Sequence, residues 1–132
     1  MMLENFMQLN VDEQHRVETF VRIETDPNGT DQHSPGAKLD SGKTRLGLVL
    51  GGFANALEEV GKVGTLGAKK YTDNGWQSVP DGINRYTDAM LRHWQKEATG
   101  EAQDSELGVL HAACIAWNAL SRLELMLRQD KA

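Results

Sequence analysis

Apolar residues recur at three- and four-residue intervals through most of the second half of the chain. From Leu46 to Lys70 the stripe runs Leu46, Val49, Leu50, Phe53, Leu57, Val60, Gly64 and Gly67, which predicts one long helix. Ile83 to Ala98 predicts a second, with Tyr86, Met90 and Trp94 in register, Ala89 and Leu91 beside them, and Gly100 as its stop. Glu106 to Arg128 predicts the last helix, capped by Asp104 or Ser105, with Leu110, Ala113, Trp117, Leu120, Leu123 and Leu127 as its apolar face. The first of these helices is rich in glycine, at Gly47, Gly51, Gly52, Gly61, Gly64 and Gly67. Each costs up to about 1 kcal/mol against alanine in a helix interior. Close helix packing is the simpler reason to keep them. Room for a flat ligand near the backbone is the sharper one.

The N-terminal part is different. Phe6, Leu9, Val17, Phe20 and Val21 give a weak amphipathic pattern, and Asp12 can cap a short helix from Glu13 to Ile23. Thr19 to Ile23 is the one weak strand candidate. "TDPNGTDQHSPGAKLDSGKT" is turn chemistry for about twenty residues. "YTDNGWQSVPDG" is a second break. No alternating strand pattern and no internal repeat stand out. The expected fold is all-α: a small bundle of three to five helices with a long loop on its N-terminal side. The expected organisation is an acidic arm with a short helix over 1–34 and a helical, nucleotide-associated domain over 35–132.

The 132 residues carry 14 lysines and arginines against 19 aspartates and glutamates, a formal charge of -5. That balance argues against a general nucleic-acid binder. The charge is uneven. Glu4, Asp12, Glu13, Glu18, Glu24, Asp26 and Asp31 dominate the first 34 residues, whereas Lys38, Lys43, Arg45, Lys62, Lys69 and Lys70 dominate the next forty. A single cysteine, Cys114, excludes an internal disulfide and fits a reducing compartment. No basic stretch followed by an apolar run marks a signal peptide, and no run of about 18 apolar residues marks a membrane span. These features lead to the expectation of a cytoplasmic protein without a membrane partner.

"GAKLDSGKT" superficially suggests a phosphate-binding P-loop, but Gly36 and Gly42 are separated by five residues where that motif needs four. Lys38, Lys43 and Arg45 can still hold a phosphate as point charges, or simply be a solvated loop. In "GAKKYTDNGW", Lys69, Lys70, Tyr71, Asn74 and Trp76 combine cations, an amide and two rings, a set suited to a nucleotide. The lysines alone are explained by a helix C-terminus. Arg92 and His93 follow an apolar run, and a histidine there is more often a satisfied core residue than a ligand. Glu58 and Glu59 lie on the first long helix, and Glu97, Glu101, Asp104 and Glu106 lie around the last junction. His111, Cys114 and Asn118 then share one helical face. Bundles build divalent-ion sites from such facing groups, and they also bury such groups as hydrogen-bonded structure.

Several segments together, "GAKLDSGKTRLGLV", "GTLGAKKYTDNGW", "RYTDAMLRH", "GEAQDSELGVLHAACIAWNAL" and "SRLELML", resemble a phage and prophage family, the N-terminal domain of dATP/dGTP diphosphohydrolases. The resemblance covers roughly Gly36 to Leu127. It implies kinship with the all-α nucleotide pyrophosphohydrolases (the MazG-like group), which split a nucleoside triphosphate into monophosphate and pyrophosphate with Mg²⁺ on helical carboxylates. On that basis Glu59, Glu101 and Asp104 are the expected catalytic and metal-holding carboxylates, with His111 as a further ligand for Mg²⁺ or Mn²⁺. Lys38, Lys43, Arg45, Lys69, Lys70 and Arg92 would meet phosphates, Tyr71 or Trp76 would stack on the base, and Asn74 and His93 are further expected ligand-binding residues. There are two departures. The hallmark E-x-x-E is missing, since Glu58 and Glu59 are adjacent, and Cys114 stands where relatives carry the second histidine of H-x-x-H. The alternative is therefore a non-catalytic protein that sequesters or delivers a nucleotide, including a host immune signalling nucleotide. A third reading is an interaction module docking through an apolar stripe in residues 1–24. Small helical domains of this kind are expected to be homo-oligomers, and a phage-encoded one would act in the bacterial host cytoplasm.

Overall fold

A computed structural model describes residues 23–129. The chain falls into two units, residues 1–45 and 46–132. The short helix expected before residue 23 lies outside the described residues. Ile23 itself is exposed and not helical.

The described part of the first unit is a chain of turns, as its Asp, Asn, Gly and Pro content predicts. Asp26 organises it. Its carboxylate accepts the backbone N–H of Asn28 at 2.7 Å, of Thr30 at 3.4 Å and of Lys38 at 2.8 Å. Ser41 N–H donates to Thr25 O across the same loop, and Lys43 pairs with Glu24 at 3.2 Å.

The second unit is all-α among the described residues. A short α1 (Gly47–Leu50) is followed by α2 (Ala54–Lys70), a 3₁₀ turn (Gly75–Ser78), α3 (Gly82–Ala98) and α4 (His111–Gln129). The stretch expected as one helix from Leu46 to Lys70 is broken by turns at Gly51–Phe53. Two consecutive glycines weaken the helix there. The turn is also tight, because a Cβ on Gly52 would stand 2.5 Å from Leu48 O. α2 ends where expected, with Lys69 and Lys70 in its last turn against the helix dipole. α3 opens at Asp81 in the left-handed region, with Asn84 Nδ2 donating to Asp81 Oδ1 at 2.8 Å. It closes on Gly100 at φ 100°, whose N–H donates to Glu97 O.

The last helix begins at His111, five residues later than its periodicity suggests. Residues 102–111 form a small hairpin instead: Gln103 bridges Leu110, Asp104 N–H donates to Val109 O at 2.7 Å, and His111 N–H donates to Ala102 O at 3.0 Å. Gly108 turns the chain at φ 71°. Asp104 caps this turn rather than the helix, its Oδ1 accepting the N–H of Glu106 and Leu107 at 3.0 and 2.8 Å.

α4 packs chiefly on α3 and secondarily on α2. Its buried side is His111, Ala113, Cys114, Asn118 and Ser121. The expected apolar face is only partly right. Ala113 is buried and Trp117 packs against the core, but Leu110, Leu120, Leu123 and Leu127 stay exposed, and so does Trp94 on α3. Asn118 Nδ2 donates to Cys114 O at 2.7 Å and Ser121 Oγ to Trp117 O at 2.8 Å. Backbone carbonyls one turn back thus satisfy the buried polar groups and let a polar stripe face inward. The apolar core is Val63, Val109, Ala113 and Cys114, with Leu66, Leu107 and Trp117 against it.

Candidate functional site

At the N-terminal end of α4, His111 is 0% exposed, and its ring reaches outward in two directions. Its Nδ1 lies 2.8 Å from Nδ1 of His93 on α3. Its Nε2 makes no hydrogen bond, although Glu101 Oε1 is 3.3 Å away. Asp104 completes the group. With Oδ1 committed to the hairpin turn, Oδ2 is left 4.0 Å from His93 Nδ1. Ligand atoms of His93, Asp104 and His111 all lie within 4.8 Å of one another. Three elements therefore position the cluster: α3 brings His93, the hairpin brings Asp104 with Glu101 just before it, and the first residue of α4 is His111 itself.

The electrostatics suit a donor cluster. Burial lowers the His93 pKa, and His111, Lys96 and Arg92 add to this against the pull of Asp104, so its imidazole is neutral near pH 7 with a lone pair to offer. Burial alone would raise the Asp104 pKa. The N–H groups of Leu107 and Glu106, with His93 and Lys96 nearby, outweigh that and hold it below the usual carboxylate value. Cys114 is the opposite case. Burial, reinforced by the Asp104 charge, pushes its thiol up to about 11, so it is a neutral core group and not a thiolate.

A cleft of about 1130 Å³ lies between α2, α3 and the connection joining them, with Trp117 of α4 in its wall. Lys69, Tyr71, Asn74, Trp76 and Arg92, all expected to contact a nucleotide, line it together. Trp76 meets Trp117 edge-to-face, with centroids 6.0 Å apart. The two readings of the glycine stripe divide between positions. A Cβ on Gly64 would stand 2.6 Å from the Trp117 ring, so Gly64 serves close packing. Gly61 and Gly67 line the cleft and have nothing within 4 Å, so they leave space.

Two of the remaining expected residues of the second unit lie outside both features. Glu59 is on α2, paired with Lys62 at 2.6 Å, and is not a member of the His93–Asp104–His111 group. Lys70 pairs with Glu106 and sits over the Tyr71 ring instead of lining the cleft. Lys38, Lys43 and Arg45 belong to the first unit. Sequence reasoning placed His93 with the nucleotide contacts and missed its partnership with His111. It also passed over Arg85, Tyr86 and Asp88, which line the cleft from α3. Their spacing on one face of α3 with Arg92 was the available signal.

A family model described as "dATP/dGTP diphosphohydrolase, N-terminal" matches residues 33–132. The chain is also similar to a protein of Salmonella phage PMBT28 named dATP/dGTP diphosphohydrolase, with 37% identity over 78 residues. The alignment covers 59% of this chain and 25% of that relative, so the chain spans about a quarter of the relative's length. No solved structure matches the chain.

Proposed function

Because this chain belongs to the dATP/dGTP diphosphohydrolase N-terminal family, we propose that it acts as a metal-dependent (deoxy)nucleoside triphosphate diphosphohydrolase-like protein, converting a dNTP to dNMP and pyrophosphate. We place it as phage-encoded and at work in the cytoplasm of a bacterial host. The observation that carries this reading is the pairing, on α3, of a cleft residue, Arg92, with a donor-cluster residue, His93.

The donor set supports a divalent ion in this reading. It holds a fully buried imidazole whose Nε2 lacks a hydrogen bond, a second imidazole turned towards it, and a carboxylate oxygen left free. Asp104 and His111 would hold Mg²⁺ or Mn²⁺ with Glu101 beside them, and the ion would polarise the phosphates and activate a water. The protein's own residues do the rest. Lys69 and Arg92 neutralise the triphosphate, Trp76 and Tyr71 offer faces to the base, and Asn74 offers an amide. Glu59, paired with Lys62, lies outside the His93–Asp104–His111 group.

A non-catalytic nucleotide carrier is the second reading, favoured by the pairing of Glu59 with Lys62 away from the cluster. One screen separates the two. The protein is incubated with NTPs, dNTPs and cyclic dinucleotides in the presence of Mg²⁺, Mn²⁺ or EDTA, with products resolved by ion exchange and the melt followed in parallel. Monophosphate and pyrophosphate formed only with metal support the hydrolase. A rise in melting temperature that survives EDTA, with the ligand recovered intact, supports the carrier. We also propose a homo-oligomer, supported by the leucines that α4 leaves exposed.

A further inference from the structure

The donor atoms are mostly the wrong kind for magnesium. Two of the three mutually close ligand atoms are imidazole nitrogens, and one of those rings is completely buried. Magnesium is a hard ion that demands oxygen and gives up its water reluctantly. Imidazole suits zinc, iron, nickel and copper better, whereas manganese shares magnesium's preference for oxygen. The two Nδ1 atoms are 2.8 Å apart, near enough for one ion to reach both, since ligands about 2.1 Å from an ion stand about 3–3.4 Å apart in octahedral to tetrahedral geometry.

The second nitrogen of His111, Nε2, is buried without a hydrogen bond, and Glu101 Oε1 is 3.3 Å away. A carboxylate beside the outer nitrogen of a histidine is the arrangement that puts the proton on that nitrogen and leaves the inner lone pair for a metal. Asp104 shows the same division of labour. Backbone N–H groups hold one oxygen, and the other lies towards the histidine pair.

We infer that His93 Nδ1, His111 Nδ1 and Asp104 Oδ2 form a binding site for one transition-metal dication of the iron-to-zinc series, in preference to magnesium. Glu101 is a positioning residue on His111 Nε2 and does not ligate the ion. The inference deepens the hydrolase reading and rests on it only for what the ion does. Binding itself is measured without nucleotide, so the two can fail separately.

The experiment uses the full chain, stripped with EDTA and dialysed. Zn²⁺, Co²⁺, Mn²⁺ and Mg²⁺ are titrated by calorimetry, and Co²⁺ is also followed by its visible absorption bands. The expected result is one equivalent of Zn²⁺ or Co²⁺ bound at least about tenfold more tightly than Mg²⁺. His93→Gln should abolish the tight phase. Glu101→Gln should keep one equivalent and the cobalt band shape while weakening affinity by about 10–100-fold. His111→Asn makes the same test at the buried ring. Because it can unfold the hairpin, its melt and far-ultraviolet circular dichroism are recorded, and His93→Gln, at a half-buried ring, carries the conclusion if it does. Magnesium binding as tightly as zinc, or tight zinc binding that survives His93→Gln, overturns the proposal. Hydrolysis supported by magnesium with no zinc or cobalt site would overturn it while leaving the hydrolase reading intact.

Discussion

Gly64 and Gly67 stand almost one turn apart on α2 and face different surroundings. Both line the cleft, but Gly64 is pressed against the Trp117 ring, whereas Gly67 has nothing within 4 Å. Gly64→Ala should therefore destabilise the fold by about 1–3 kcal/mol, because the added methyl displaces a ring already packed against Trp76. Gly67→Ala should instead stabilise the helix by up to about 1 kcal/mol. Thermal melts of the two variants should shift in opposite directions, and equal shifts would refute this division of roles. Cys114 gives a second residue-scale test. With burial and then Asp104 raising its thiol to about 11, the folded protein at pH 8 should resist iodoacetamide for far longer than the urea-unfolded chain, with labelling read by mass spectrometry. Asp26 gives a third. The N–H of Lys38, then that of Asn28, lowers its pKa. A depressed folded-state pKa means that the carboxylate's stabilisation is fully present above its unfolded value near 3.9 and is lost as pH falls through the lower folded value. The Lys38 amide proton, followed by NMR, should hold its shift down to about pH 4 and move only below it.

At the scale of elements, periodicity located the helices well where a single face met a single neighbour. α3 runs from Gly82 to Ala98, within a residue of its pattern. It failed where local side-chain bonds competed with helix formation. Asp104 folds the next residues into a turn, and Gly108 at φ 71° then reverses the chain, so the apolar spacing through Leu107 and Leu110 reads as helix but is not. Gly108→Ala should cost about 1 kcal/mol through its left-handed backbone, with nothing within 4 Å of the new methyl to add a clash. A loss measured by urea titration well above that would mean the hairpin is stressed elsewhere. The candidate site was half legible for a related reason. Glu101, Asp104 and His111 are close in sequence and were singled out together, but His93 comes from another helix, and no spacing rule links faces across two helices. The nucleotide-suited run from Lys69 to Trp76 was legible because one turn holds it.

At the scale of the whole molecule, few apolar side chains are buried and many are not. Val63, Val109, Ala113 and Cys114 make up the buried apolar set among the described residues, while Leu91, Trp94, Leu120, Leu123 and Leu127 remain at least half exposed. Among those residues no helix is long and apolar enough to cross a membrane. Association between copies is the expected use of these side chains. Light scattering after size exclusion should give at least twice the chain mass, and Leu123→Asp should reduce it to one copy. A monomer at all concentrations in the unmodified protein would remove this expectation.

The hairpin between α3 and α4 has a consequence in time as well as in space. His93 and His111 are eighteen positions apart, and Glu101 and Asp104 lie between them. The loop to be closed is short, and closure entropy grows only with the logarithm of loop length, at about 0.6 kcal/mol per doubling. The cleft, by contrast, needs Gly64 to find Trp117 across a much longer stretch of chain. Contacts near in sequence form early and distant ones late. A refolding chain is therefore expected to bring His93 and His111 together before Gly64 meets Trp117.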